Sequence, residues 1–432
     1  MKIQSLHLAN YRCFDDLNIN LDPQLTVLVG INGSGKTAVL DALGIFLKMY
    51  AGNFWSYLDN VPVTDLRHGH DSAQLFCEMD AGVPRHPRNR FDISVTLTKN
   101  LTSHYVDIQR DDTGLYGIKN IFLDFPSPCP FPMVVYYSSK RILDKATQNE
   151  GAKPELMYAY TNAFSPQIDF STSLAWFIEK ASQEALEAKR LKDMEHTIPE
   201  LSAVRMAVSK ALGEYGEPFV GETPPVLFVP QKDDLSKVFR IEELSDGYRT
   251  MLALVMDLAR RMAVANSHIE WSEDQTVLHS PGIVLIDEVE LHLHPSWQQT
   301  VLPTLMKIFP SVQFIVTTHS PQVLTSIEPH HIRILEKGKV LPAEIGSFGA
   351  QSGRVLEDIL GVNPRPQEAD STKALNSYFN LINIGEGKTE AALKLREQLE
   401  NWLADDPALA EADMLIAHQA RLRAKKRESS NA

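Results

Sequence analysis

The sequence is poor in cysteine and has no long apolar run. Its three cysteines, Cys13, Cys77 and Cys129, lie far apart and form no C-x-x-C pair, which argues against a disulfide framework and suits a reducing compartment. No segment approaches the roughly 18 apolar residues of a membrane helix, and the opening MKIQSLHLANYR lacks the apolar core of a secretory signal. We therefore expect a cytoplasmic protein without a membrane partner.

An excess of positive charge is also missing. The formal net charge is −13, so the chain is not coated with phosphate-binding residues, although a local basic patch can still bind DNA. The densest basic stretch, RLRAKKR from Arg421 to Arg427, is predicted to be a solvated helix end. With 432 residues, 44% hydrophobic and 22% charged, the composition predicts a globular protein of two or three packed units.

A glycine-rich motif follows an early apolar run. From Gly30 the residues read G-x-x-x-x-G-K-T, which between a strand and a helix is a P-loop for nucleotide phosphate. Lys36 is expected to neutralise the β and γ phosphates of ATP, and Thr37 to hold Mg²⁺. The alternative is a turn that binds nothing. The residues predicted to bind ATP are Asn32, Gly33, Ser34, Gly35, Lys36, Thr37 and Ala38.

An acidic pair closes a second apolar run. In GIVLIDE, Gly282 to Glu288, four apolar residues place a carboxylate at the carboxyl end of a buried strand, as in a Walker B motif. Asp287 would complete the Mg²⁺ shell with Thr37, and Glu288 would polarise the attacking water, which predicts hydrolysis as well as binding. The alternative is a pair of acids that only begins a turn.

Two further motifs are LSDGYR, directly before a helical pattern, and TTHS, after an apolar strand. LSDGYR resembles the ABC ATPase signature, with Asp246 where a glycine is more familiar, and His319 of TTHS stands where the ABC switch histidine would contact the γ-phosphate. The alternatives are an ordinary helix N-cap serine and a histidine with a structural hydrogen bond.

The order of these motifs resembles the ABC-type heads of RecF, SMC and OLD proteins. The resemblance implies that Ser245, Asp246 and Gly247 of one subunit contact the ATP held by another, so a homodimer or a higher even homo-oligomer is expected. From NYRCF it implies Arg12 as a nucleotide contact, although an exposed loop arginine is an equal alternative. The glutamine expected after MVVYY is missing, and neither Gln148 nor Gln167 clearly replaces it.

The segments IDEVELHLHPSWQQ, MVVYYSSKR and GRVLEDILGVNPRP resemble PtuA, the ATPase of Septu anti-phage systems, including retron-associated forms. This implies a separate HNH nuclease partner, PtuB, with DNA reached through the partner or the assembled complex. A RecF-like ATPase that binds DNA itself is the alternative. No intrinsic nuclease is expected, and His292 and His294 are predicted to form a dimer contact or a turn in preference to a zinc site.

We expect an α/β protein with the two-lobed architecture of an ABC-type ATPase head, in which a mixed sheet and a parallel P-loop sheet carry flanking helices. Residues 1–145 are predicted to form lobe I and 218–345 lobe II. A helical insert is expected over 146–217 and a helical C-terminal extension over 346–432.

Local patterns also predict individual elements. Alternating apolar and polar residues predict that the chain opens with a small antiparallel sheet, Lys2 to Asn10 and Leu17 to Leu21, and that FDISVTL and HYVDIQ are further strands. The apolar run MVVYY predicts a buried strand from Met133 to Tyr137. A helix is expected around Trp297 to Ile308.

Overall fold

The computed structural model describes residues 1–52, 61–82, 90–100, 104–111, 129–139, 155–165, 170–221, 225–271, 275–343 and 346–430. The chain divides into two compact units, Met1–Val355 and Leu356–Ala432. The finer division into lobes, insert and extension stays a prediction. Among the described residues, no helix is both long and apolar enough to cross a membrane.

An antiparallel sheet of five strands opens the larger unit, in the order β2-β1-β4-β5-β6. Its strands alternate between buried and more exposed side chains, because one face packs on the core. In β4, for example, every second side chain from Ala73 to Met79 is buried. The sequence predicted this sheet but not β4. The strands are β1 Lys2–Tyr11, β2 Phe14–Asn20, β4 Ser72–Asp80, β5 Arg90–Lys99 and β6 Val106–Asp111.

A second sheet of six strands carries the P-loop, in the order β14-β13-β3-β12-β11-β7. All neighbours pair in parallel except β13 and β14. The carboxyl ends of the parallel strands therefore meet at one edge. The members are β3 Leu25–Val29, β7 Met133–Tyr137, β11 Gly282–Ile286, β12 Val312–Thr317, β13 Ile332–Glu336 and β14 Lys339–Pro342.

The buried amide of Gln313 on β12 joins the two sheets. Its Nε2 donates to the carbonyl oxygens of Ile3 and Asp22, at 2.8 Å each, and its Oε1 accepts from the backbone N–H of Ile3 at 2.7 Å. A third, small sheet has the order β10-β9-β8. Its strands are β8 Phe219–Gly221, β9 Val226–Pro230 and β10 Val238–Arg240.

The larger unit contains helices that cover these sheets. One helix predicted around Trp297 to Ile308 is instead two, α6 and α7, because the ring of Pro303 clashes with a helical carbonyl at Gln299, four residues earlier. The helices are α1 Lys36–Gly52, α2 Glu155–Tyr160, α3 Phe170–Leu191, α4 Pro199–Leu212, α5 Asp246–Ala265, α6 Pro295–Gln298, α7 Val301–Ile308, α8 Pro321–Leu324 and α9 Ser352–Asp358, the last of which extends across the unit boundary.

The C-terminal unit is helical, as predicted. Its helices are α10 Asp370–Asn383, α11 Glu390–Leu403 and α12 Pro407–Ser430. They enclose a small apolar core that includes Tyr378, Ile382 and Leu399. An ion pair of 2.6 Å between Arg365 and Asp406 lies within the same unit.

Candidate functional site

The P-loop lies between the carboxyl end of β3 and the start of α1. Gly35 has a φ of +98°, and a Cβ there would lie 2.3 Å from Cζ of Phe14, so only glycine fits. Gly33 also has a positive φ, of +80°, but no atom lies within 4 Å of the place of its Cβ. The loop is thus packed on the side of β2 and open at Gly33, where a phosphate could approach the backbone N–H groups.

Lys36 lies against this loop and is only 6% exposed. Its Nζ donates to the carbonyl oxygens of Gly30 at 2.9 Å and Ile31 at 3.1 Å. Burial lowers the pKa of Lys36, while the carboxylates of Asp287 and Glu288 oppose that change. The ammonium group of Lys36, which is predicted to bind the phosphates, is therefore held against the loop by two carbonyl oxygens.

The acidic pair of GIVLIDE, Asp287 and Glu288, lies beside the start of α1. Thr37 Oγ1 lies 3.2 and 3.1 Å from the two carboxylate oxygens of Asp287, a residue 250 positions away. Thr317 Oγ1 donates to Asp287 at 2.6 Å and accepts from the backbone N–H of Glu288 at 2.7 Å. Asp287 is 2% exposed. A buried carboxylate beside a threonine hydroxyl offers the oxygen ligands that Mg²⁺ prefers, so these residues fit that ion.

Glu288 has an unusual backbone. Its φ is +50°, in the left-handed region that costs a non-glycine residue about 1–3 kcal/mol. Neighbouring hydrogen bonds hold the turn, because Asp287 N donates to Tyr137 O at 2.9 Å and Val289 N to Thr317 O at 3.0 Å. The backbone around Glu288 is therefore tied to both strands that flank β11.

The TTHS turn is held by Glu290, a residue to which the sequence motifs assign no role. The backbone N–H of His319 donates to Glu290 Oε1 at 2.6 Å, and Thr318 Oγ1 donates to Oε2 at 2.7 Å. The His319 side chain itself is exposed. A carboxylate two residues after Glu288 is the only signal in the sequence, and it does not by itself predict this contact.

Two hydroxyl oxygens at the same edge of the sheet are buried without a hydrogen-bond partner in the described part of the chain: Ser34 Oγ in the P-loop and Ser138 Oγ directly after β7. An unpaired buried hydroxyl costs roughly 1–3 kcal/mol, and a bound polar ligand would remove that cost. Ser138 occupies the place where the glutamine was expected. Gln148 and Gln167 lie outside the described residues.

Arg12 lies near the start of the chain, in the turn between β1 and β2. Its guanidinium pairs with Asp65 at 2.9 Å and with Asp41 of α1 at 2.6 Å. Asp41 also accepts from Tyr136 Oη at 2.9 Å. These contacts connect the first sheet, the P-loop helix and β7, and the nucleotide role of Arg12 stays a prediction.

LSDGYR begins α5, as predicted. Ser245 is the N-cap residue, but its side chain makes no capping hydrogen bond, and Ser245 and Asp246 are exposed. A Cβ on Gly247 would lie 3.5 Å from the His292 carbonyl oxygen. His294 caps α6 by accepting from Ser296 N. The signature residues therefore lie beside the ELHLHP turn of the same chain.

A buried charge cluster fixes the middle of α5. Asp257 accepts from Arg260 at 3.0 Å, Arg261 at 2.8 Å and the hydroxyl of Tyr137 at 2.8 Å. Although burial favours the neutral acid, Arg261 and Arg260 hold the pKa of Asp257 below its usual range. The helix that begins at the signature is thus joined to β7, whose Tyr137 carbonyl also binds Asp287 N.

Two family models match the chain. The "AAA ATPase domain" matches residues 1–109, and the "AAA domain, putative AbiEii toxin, Type IV TA system" matches residues 159–325. Both matched models describe ATPase domains. Together with the fold and the site, they indicate an ATPase that is similar to the ABC-type heads of RecF, SMC and OLD proteins.

Within that class the chain is similar to retron ATPases and to PtuA. It is 29% identical to the Retron Ec83 probable ATPase of Escherichia coli, over 96% of this chain and 86% of the relative. It is 23% identical to the Retron Vc95 probable ATPase of Vibrio cholerae serotype O1 biovar El Tor, over 93% and 88%. A segment covering 28% of this chain is 35% identical to 16% of the Septu protein PtuA of Bacillus mycoides strain KBAB4. The predicted resemblance is confirmed.

Proposed function

We propose that the chain hydrolyses ATP in a site that two copies of it complete together. The observation that carries this proposal is the contact between Thr37 and the buried Asp287. It supports a shared site because it joins the P-loop side of the sheet to the acidic pair. The exposed signature supplies the other half. We infer a homodimer or a higher even homo-oligomer with two ATP molecules between subunits.

Each residue has a role in this proposal. Thr37 and Asp287 hold Mg²⁺, which supplies charge neutralisation at the phosphates when bound. The P-loop backbone and Lys36 bind the phosphates, and the unpaired hydroxyls of Ser34 and Ser138 are satisfied by the bound nucleotide or its ordered water. Glu288 accepts a proton from the attacking water, and His319, positioned by Glu290, contacts the γ-phosphate.

The exposed signature supports action on a second subunit. The hydroxyl of Ser245 caps nothing in its own helix, and a helix N-terminus with free donors favours an anion such as a γ-phosphate. In this arrangement Ser245 and Gly247 of one subunit complete the site built on Lys36 of the other. Arg12, Asn32 and Ala38 are proposed to line the nucleotide on the P-loop side.

Mixing inactive variants tests the composite site. Lys36→Ala and Ser245→Arg should each be inactive alone. In an equal mixture half of the dimers are mixed, and each has one intact site, so about a quarter of the wild-type rate should return. The matched control mixes Lys36→Ala with Glu288→Gln, whose defects fall in separate sites and leave none intact. Recovery in the control, or none in the first mixture, contradicts the proposal.

We further propose that this ATPase regulates or scaffolds a separate HNH nuclease in anti-phage defence, with DNA reached through that partner or the assembled complex. The similarity to proteins named retron ATPase and PtuA supports this. Co-expression with the neighbouring genes and purification of the complex test it. The proposal predicts a stable complex with a nuclease. ATP-dependent DNA binding by the isolated chain would favour the RecF-like alternative instead.

A further inference from the structure

A cluster of one aspartate and two histidines lies at the edge of the parallel sheet opposite the P-loop. Asp22 is in the connection that leads into β3, and His330 and His331 form part of a short 3-10 turn, Pro329–His331, directly before β13. Because β13 pairs in parallel with β3, the starts of both strands are neighbours. One donor atom from each of the three residues lies within 4.8 Å of the other two.

The two imidazoles are held by oxygen acceptors. His331 Nδ1 lies 3.0 Å from the carbonyl oxygen of Leu25, which can only accept, so in the neutral ring Nδ1 carries the proton and Nε2 has a free lone pair. His330 Nδ1 lies 3.2 Å from the carboxylate of Glu328, which favours the same tautomer. Histidines that bind metal ions commonly donate their other ring N–H to a carbonyl or a carboxylate in this way.

The aspartate is equally well positioned. Asp22 Oδ1 accepts from the backbone N–H of Gln24 at 2.8 Å and of Leu25 at 3.1 Å. It also lies 3.4 Å from His331 Nδ1, and the side chains of Asp22 and His331 are only 19% and 14% exposed. Backbone contacts therefore fix this carboxylate before any ligand arrives.

The opening of the cluster is on the side of His330. Its side chain is 58% exposed, and its ring centroid lies 3.8 Å from that of His331. The two ring planes are tilted by 42°, and two imidazoles this close can share one cation. The guanidinium of Arg333 is nearby. It donates hydrogen bonds to the backbone carbonyl oxygens of Asn20, His330 and Ile332.

We propose that Asp22, His330 and His331 bind one divalent transition-metal ion, with Zn²⁺ the best match. Two imidazole nitrogens and one carboxylate oxygen, with water as the fourth ligand, suit Zn²⁺, whereas Mg²⁺ prefers oxygen alone. The ion would join the turn before β13 to the start of the P-loop strand. It is separate from the ATPase site, and it does not depend on the function proposed above.

Calorimetric titration of the metal-free, full-length chain with Zn²⁺ tests the proposal. We expect one ion per chain, and Co²⁺ should give the visible absorption of a tetrahedral site. His330→Ala and Asp22→Asn should each weaken Zn²⁺ binding by about 100-fold, by analogy with the loss of supporting contacts at metal sites. Because the His330 side chain is exposed, His330→Ala should fold even if a substitution at the less exposed His331 prevents folding.

Histidines elsewhere provide the matched controls. His68→Ala and His292→Ala remove members of the two alternating histidine pairs, RHGHD and ELHLHP, and should leave Zn²⁺ binding unchanged. Equal Zn²⁺ affinity in the wild type and in His330→Ala would overturn the proposal, and so would binding that is lost in either control. Chelation of Zn²⁺ should lower the melting temperature of the wild type but not that of His330→Ala.

Discussion

The two halves of the proposed ATP site are held in opposite ways. At the carboxyl edge of the parallel sheet, Thr37, Asp287 and Thr317 form a continuous set of hydrogen bonds around a buried carboxylate. At the start of α5, Ser245 is exposed and caps nothing. The difference suggests that one half is preorganised within a single chain, whereas the other meets its ligand only after assembly.

The largest expected effect is at the preorganised half. Glu288→Gln should retain ATP binding but lower kcat by about 10²–10⁴-fold, because an amide cannot accept the proton of the attacking water. Phosphate release measures turnover, and a fluorescent ATP analogue measures binding. Glu386→Gln in the C-terminal unit is the control with unchanged kcat. A Glu288→Gln protein that turns over ATP at the wild-type rate would remove Glu288 from the mechanism.

The next largest effect is expected at Asp257, which joins α5, the helix that begins at the signature, to β7. Asp257→Asn should lower the free energy of unfolding by about 3–5 kcal/mol, because it leaves the buried Arg260 and Arg261 without a counter-charge. Urea denaturation followed by tryptophan fluorescence measures this change. Asp246→Asn alters an aspartate on the same helix whose side chain is 87% exposed, and it should leave the unfolding curve in place. Similar curves for both variants would show that the cluster does not stabilise α5.

A smaller effect is expected at the histidine turn. Glu290→Gln keeps one acceptor oxygen and loses one charge-assisted hydrogen bond worth roughly 1.5–3 kcal/mol, so kcat should fall about 10–100-fold with little change in KM. If Glu290 acts through His319, the combination of Glu290→Gln with His319→Ala should be no worse than His319→Ala alone. Independent, multiplicative effects would mean that Glu290 has some other role.

The smallest effect is expected at the exposed half. Ser245→Ala removes one hydroxyl whose hydrogen bond is worth about 1 kcal/mol, so kcat should fall roughly fivefold. Because Ser245 does not cap its own helix, the melting temperature should stay unchanged. A lower melting temperature with unchanged kcat would show a structural role and would remove the asymmetry between the halves.

Much of the site at the carboxyl edge of the parallel sheet was predictable from the sequence, because each of its motifs lies within one short segment. The run MVVYY is the strand Met133–Tyr137 with the predicted bounds, and the P-loop and the acidic pair both follow buried strands. Strand β4 and the pair β13 and β14 were missed, since a strand of mixed polarity is defined by its partners more than by its own residues. The single helix predicted across Gln299 is two helices, and the neglected signal was Pro303.

The sequence by itself determined the class of chemistry, because spacing along one segment places Lys36 and Thr37 together at the end of the P-loop, where α1 begins, and Asp287 and Glu288 at one strand end. Only the tertiary structure decided which other side chains surround them. Glu290 meets His319, Asp257 meets Tyr137, and Asp22 meets His330 and His331. Such contacts join residues far apart in the chain, and their energy depends on the register and packing of whole strands. No local pattern encodes those quantities.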